Sequence, residues 1–134
     1  MAAAVLAGCS PPSPPEAAIR EWLEAAETAV EERDRSRLVE MIAEHYVDAR
    51  GNDRESVNQR LRLYFLRNRE IIVASRIEEL EVIGGTAAQV VVTAGLAGAD
   101  GNAFGLRADV WRLDLELVQE EGEWLLIGAQ WSEL

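Results

Sequence analysis

Arg107 and Asp109 stand two residues apart just before the stretch VWRLDLELV, in which Trp111, Leu113, Leu115 and Leu117 alternate with Arg112, Asp114 and Glu116. Such alternation marks a strand with one buried and one wet face. Carried backwards at the same parity, it puts Arg107 and Asp109 on the buried side, where a charge is costly unless it is paired. Three arrangements satisfy that constraint: an ion pair between the two or across strands, a bulge that flips the register, or a polar patch lining a cavity. In the last, Arg107 is an anion contact and Asp109 an acid or base. His45, the single histidine, falls on the apolar side of the second expected helix, next to Tyr46. There it reads as a hydrogen-bonded core residue or, if it faces a cavity and Asp109 orients it, as a general base. Trp111, Tyr64 and Phe65, with Tyr46 beside the histidine, read as ordinary core packing or as an aromatic wall for an apolar ligand.

Other chemistries find little support in the sequence. Neither a nucleophile triad, a Cys–His pair nor a phosphate-cradling glycine loop can be assembled from it. No metal-ligand spacing is recognisable and no cofactor is expected. The 134 residues carry a formal net charge of −11, and all 13 basic residues are arginine. A chain this acidic repels phosphate backbones and anionic lipid, which sets nucleic acid aside as a partner. With 49% apolar and 28% charged residues, the composition is that of one globular domain. No apolar stretch approaches the roughly 18–20 residues that would cross a bilayer.

The first fifteen residues read differently. A short apolar run, MAAAVLAG, ends at Cys9, the only cysteine, and SPPSPP follows. One cysteine forms no internal disulfide. The four residues LAGC resemble a bacterial lipobox, in which the cysteine thiol receives diacylglycerol. The prolines behind it favour an extended spacer. Residues 1–8 then form part of a signal-peptide-like segment, and 9–15 a lipidated cysteine with a Pro-rich tether. Acyl chains on Cys9 would be the domain's only hold on a membrane, and more than one chain makes such a hold stable. This places the protein in a bacterial cell envelope on the periplasmic side, or in the cytoplasm if LAGC arises by chance. No basic residue precedes Cys9, so the positive end of a signal segment would have to lie upstream of Met1.

From Ser13 the pattern becomes helical. Ser13-Pro14-Pro15-Glu16 reads as a capping box, and Ile19, Trp22, Leu23, Ala26 and Val30 form the inward stripe of a helix running to about Arg33. A second helix is expected from Asp34 to Val47, stopped by Gly51, and a third from an Asn52-Asp53 cap to about Arg69. Past Glu70 the period drops to two. Ile71–Ile83 and Ala87–Leu96 read as a hairpin around a two-residue Gly84-Gly85 turn. A third strand over Leu106–Gln119 turns at Glu121-Gly122 into a fourth, EWLLIGAQW. Helices first and then four strands joined by short turns make an α+β domain with an antiparallel meander.

Two stretches carry a further likeness: EAAIREWLEAAETAVEERDRSRLVEMIAEHYVD at the start and EGEWLLIGAQW at the end. With the helix-then-meander order they resemble the nuclear-transport-factor-2-like superfamily, which includes SnoaL-like proteins. The resemblance covers residues 16–134. It implies helices packed on a curved four-stranded sheet, a cone with a cavity at its open end, but no particular reaction. Members of the superfamily place a strand or hairpin between the second and third helices, where only YVDARG stands here.

These readings lead to a membrane-tethered, non-catalytic domain that binds a small apolar ligand or an envelope protein. The alternatives are a small isomerase- or hydrolase-type enzyme that uses Asp109 and His45, and a structural homodimer paired through the outer face of the sheet.

Overall fold

A computed structural model describes residues 14–99 and 106–134; Cys9 and the side chain of Arg107 lie outside what it describes. Within it, helix α1 (Pro15–Glu31), a short α2 (Arg35–Glu40) and α3 (Arg54–Arg67) precede four strands, β1 (Glu70–Ile83), β2 (Ala87–Ala99), β3 (Leu106–Glu120) and β4 (Glu123–Glu133). The strands form one antiparallel sheet in the order β1-β2-β3-β4. Three helices on a four-stranded meander is the α+β architecture that the periodicities required. No described helix is long and apolar enough to cross a membrane.

Local chemistry sets the element ends. Pro15 opens α1 with its φ already fixed and no N–H to lose. Pro14 before it makes no side-chain cap, and the expected cap residue Ser13 lies outside the described residues. The chain leaves α1 through Arg33 at φ 56°. Asp34 caps α2 by accepting from Arg37 N, and Asp53 caps α3 by accepting from Ser56 N at 2.8 Å. The β1–β2 loop is Gly84-Gly85-Thr86, three residues where two were expected, because Ile83 pairs with Ala87. Glu121-Gly122 is the expected two-residue turn, with positive φ at both positions as a type I′ hairpin needs.

The second helix departs most from expectation. It ends at Glu40, seven residues short of Val47, and residues 41–49 run along the free edge of β4 instead. Leu126 N donates to Met41 O, Ala43 N to Leu126 O, Val47 N to Ile127 O and Ala49 N to Ala129 O, over 2.9–3.3 Å. An open sheet edge exposes backbone groups that need partners, and this segment supplies them, so Ile42, Ala43 and Tyr46 are buried by edge pairing, not by a helical stripe. The segment then folds back, and Val47 bridges Asp53. This supplies the strand-like connection between the second and third helices for which the sequence offered only YVDARG.

The inner face of the sheet is laid out by register. Val73, Leu96 and Asp109 form one row across β1–β3, and Ser75, Ala94 and Trp111 the next. Ile77, Val92, Leu113 and Trp131 follow, then Leu80, Val90, Leu115 and Ala129. Ile19 and Leu23 of α1 cover the middle of this face. Ala29, Leu38, Phe65 and Ile71 form a second cluster at the α3 end, with Val30, Tyr64, Val73 and Leu96 packed around it.

Candidate functional site

The parity of β3 holds throughout: Leu115 and Leu117 are buried, Trp111 and Leu113 half-buried, and Asp109 lies on the same side. The register shift in this region falls opposite β3, where Glu116 pairs with Gly128 and Leu117 with Leu126, so the extra residue is Ile127 of β4. No bulge turns Asp109 outward. It sits at the open end of the cone, exposed, in a cleft of about 440 Å³ with Tyr64, Leu66, Arg67, Asn68, Leu96 and Gly98. Asp109 thus lines a cleft, while the expected ion pair with Arg107 involves a side chain outside the described residues. Burial, and then the charge of Asp109, raise the Tyr64 phenol above its ordinary value, so Tyr64 stands there as a hydrogen-bond donor.

His45 is elsewhere. It lies past the end of α2 in the edge segment, with 64% of its side chain exposed and Nε2 3.5 Å from Glu120 Oε1. Glu120 closes β3 and Asp109 lies near its start, so the stretch 109–120 separates them, on the order of 35 Å of extended chain. The expected pairing of His45 with Asp109 is therefore not formed, because the helix meant to carry His45 inward ends five residues before it. Tyr46 is also away from the cleft: 3% exposed, it donates its hydroxyl to Asp48 at 2.9 Å. Asp48 accepts as well from Arg50 N, Asn52 N and Asn52 Nδ2. A recess of about 470 Å³ includes Asp48, Asp114 and Glu116, but its one buried carboxylate is already occupied by these donors. Trp111 shares a row with Ser75 and Ala94. Of the proposed ligand contacts whose side chains are described, the structure brings Tyr64 and Asp109 together and leaves Tyr46 and Trp111 outside their cleft.

A second space, almost entirely apolar, lies between α1 and the inner face of the sheet. Trp22, Leu23, Ala26, Glu27 and Val30 of α1 face Val73, Ser75, Val92, Ala94, Leu96, Leu113 and Leu115 of the sheet around a cavity of about 240 Å³. It exists because Ala26, Ser75 and Ala94 are too small to fill the gap that protein interiors normally close. Leu96 separates it from the Tyr64–Asp109 cleft. Its lining is apolar apart from three groups. Ser75 Oγ donates to Glu27 Oε1. The Glu27 carboxyl is raised, first by burial and then by the charges of Glu31 and Glu24. Trp22 Nε1 has no solvent contact and no acceptor among the described residues.

Sequence reasoning passed over Glu27, Ser75 and Trp22 as site residues. Ser75 left one signal, since it interrupts the inward series Ile71, Val73, Ile77 of β1. Glu27 left none, because it borders the apolar stripe of α1 like any surface acid. Among the described residues no group of His, Cys, Asp and Glu could hold a metal ion.

No family model matches the sequence, and no curated protein matches it either. Solved structures do resemble it in shape. A scytalone dehydratase-like protein from Novosphingobium aromaticivorans superposes with a TM-score of 0.82 at 12% identity, over 89% of this chain and 83% of that one. A nuclear-transport-factor-2-like protein of unknown function in nutrient uptake from Rhodospirillum rubrum gives 0.68 at 20% identity, over 87% and 98%. A hexachlorocyclohexane dehydrochlorinase from Novosphingobium barchaimii gives 0.72 at 14% identity, over 88% and 85%. At these identities the likeness speaks for shape and not for activity, and with the meander and its covering helices it shows that this chain has the nuclear-transport-factor-2-like, cystatin-like cone fold.

Proposed function

We propose that this domain binds a small, largely apolar molecule in the cavity between α1 and the sheet without converting it, and that acyl chains on Cys9 tether it in a bacterial cell envelope. The observation that carries the binding reading is the 240 Å³ apolar cavity itself. It lies just below the roughly 300–1,000 Å³ typical of pockets for drug-sized ligands, which favours an occupant of a few carbons or a single ring. Trp22 Nε1, buried without an acceptor among the described residues, supports a ligand that brings one. Binding is favoured over catalysis because the acid and base the reaction would need, Asp109 and His45, are far apart. Similar folds carry a dehydrochlorinase and a dehydratase-like protein, so small-molecule cavities suit this architecture. A protein segment inserted into the cone is the alternative occupant.

The test is titration of the full chain with small neutral apolar probes, followed by tryptophan fluorescence, in the natural sequence and in Ala94→Leu. Saturable binding that Ala94→Leu abolishes while the melting transition persists is the expected result. Absence of saturation with every probe overturns the reading. For the tether, the intact mass of the protein isolated from its own cells decides: a free Cys9 thiol removes it.

A second reading, self-association through the sheet, has one observation in its favour. On the outer face Ile72 and Val110 are 61% and 45% exposed, with Ala74, Gly95 and Ala97 lying between them. Sedimentation of the natural chain against Val110→Asp distinguishes a dimer from a monomer.

A further inference from the structure

We infer that Glu27 and Ser75 form the polar end of the α1–sheet cavity and select ligands that carry a protonated amine. The inference rests on the cavity reading above and adds the chemical class of the occupant. Ser75 is the polar exception on the inner face of β1, directly opposite Ala94, and its hydroxyl engages Glu27 Oε1. Glu27 Oε2 remains as the acceptor for a guest. Glu24, Glu27 and Glu31 recur at helical spacing on one side of α1, and Glu31 is committed to the backbone, accepting from Val73 N at 2.9 Å. Among the described residues no cation lies within ion-pair distance of Glu27.

The carboxylate thus stands at the edge of an apolar wall, beside like charges and, among the described residues, with no cation at ion-pair distance. Both burial and like charge penalise the ionised form, and an ammonium group relieves both at once. An anionic guest meets the same acids as repulsion, and a neutral alcohol gains only an ordinary hydrogen bond. The groups that face Glu27 are Arg20, Glu24 and Glu31 on its own helix and the uncharged Ser75 and Ile77 on β1. A small amine with a hydrocarbon body matches this layout, its chain in the cavity and its head between Glu27 and Ser75.

The experiment is calorimetric titration of the full chain with a matched pair, hexylamine and 1-hexanol, at pH 7.5. Hexylamine is expected to bind about tenfold tighter, the scale of one charge-assisted hydrogen bond. Glu27→Gln is expected to erase that preference and leave hexanol binding within about twofold; Ser75→Ala reduces it in part. Glu44→Gln, an exposed acid outside the cavity, controls for the general attraction of an acidic protein and should leave the preference intact. If hexanol binds and hexylamine binds no better, the amine inference fails and the cavity reading stands. If the preference survives Glu27→Gln, or is lost equally in Glu44→Gln, the site is not Glu27. If neither ligand binds, the cavity reading fails and takes the amine site with it.

Discussion

The buried hydroxyl of Tyr46 donates to Asp48, two residues further along, at 2.9 Å. That bond is one strand of a knot in which Asp48 also accepts from the backbone N–H groups of Arg50 and Asn52 and from Asn52 Nδ2. The knot closes the turn between Val47 and Asp53, and so holds residues 41–49 against the edge of β4. Arg60 Nε ties it to α3 by donating to Asn52 Oδ1. Residues read from the sequence as part of an amphipathic helix are therefore the seal of the sheet.

Asp48→Ala strands the Tyr46 hydroxyl and several amide groups in a site where Asp48 is 6% exposed. Each buried polar group left unsatisfied costs about 1–3 kcal/mol, and water entering the gap will meet part of that. A loss of about 2–4 kcal/mol is expected as a lower denaturation midpoint. Tyr46→Phe removes one donor while Asp48 keeps the others, and is expected to cost about 1 kcal/mol. Equal effects from the two variants would show that the knot is not centred on Asp48.

Acid should loosen the same knot. Burial alone would raise the Asp48 carboxyl, but the hydrogen bonds from Asn52, Tyr46 and Arg50 outweigh it and hold it below the usual carboxylate range. A group whose folded value is depressed contributes stability that is present in full above its unfolded value, near pH 4, and is lost as pH falls through the folded one. Glu27 has the opposite sign: raised in the fold, its ionised form is a cost that lessens as pH falls. The urea midpoint of the natural chain should drop steeply below about pH 4, and that drop should flatten in Asp48→Asn. Parallel curves would assign the acid loss to other groups.

Much of this fold was legible because burial leaves a period. The inward series Trp111, Leu113, Leu115, Leu117 fixed the parity of β3, and the structure keeps it as far as Asp109. The cap at Asp53 was legible too, since one side-chain acceptor three residues before a free N–H is a local signal. The course of residues 41–49 was not. Leu38, Met41 and Ile42 fit a helical stripe as well as they fit edge pairing, and only the unpaired side of β4, some 80 residues away, decides between the two. The cavity was hidden for a related reason. Ala26, Ser75 and Ala94 are each unremarkable in sequence, and their small volumes matter only because the fold brings them face to face.

His45→Ala provides a check on the surface placement. With the side chain 64% exposed and the Glu120 carboxylate 3.5 Å away, the substitution should change stability by no more than about 0.5 kcal/mol. Binding of apolar probes should be unchanged as well. A loss of binding would return His45 to the site.

Gly98→Ala probes the Tyr64–Asp109 cleft. A Cβ at Gly98 would come within 2.5 Å of Asn68 Oδ1, and Asn68 is held by its own donation to Tyr64 O at 3.0 Å. Relief requires Asn68 to release that bond or β2 to shift, at the about 1–3 kcal/mol typical of overpacking. Retained stability, measured by thermal melting, would mean that Asn68 moves freely.

Trp22→Phe separates what the empty domain needs from what its ligand needs. The indole N–H is buried without an acceptor among the described residues, a situation that costs on the order of 1–3 kcal/mol relative to a satisfied donor. Phenylalanine keeps most of the apolar contact with Leu23 and the sheet but removes the donor, and it also loses part of the indole's buried area. The two effects oppose each other, so the ligand-free variant should melt within a few degrees of the natural chain, where truncating a packed aromatic to alanine typically costs about 3–5 kcal/mol. Binding should respond differently. A ligand that supplies an acceptor to Nε1 loses that hydrogen bond in the variant, about 0.5–1.5 kcal/mol or up to tenfold in affinity, while a pure hydrocarbon probe of the same size loses almost nothing. Comparing cyclohexanone with methylcyclohexane in both proteins makes the distinction, and equal losses for the two probes would show that the indole N–H does not reach the cavity.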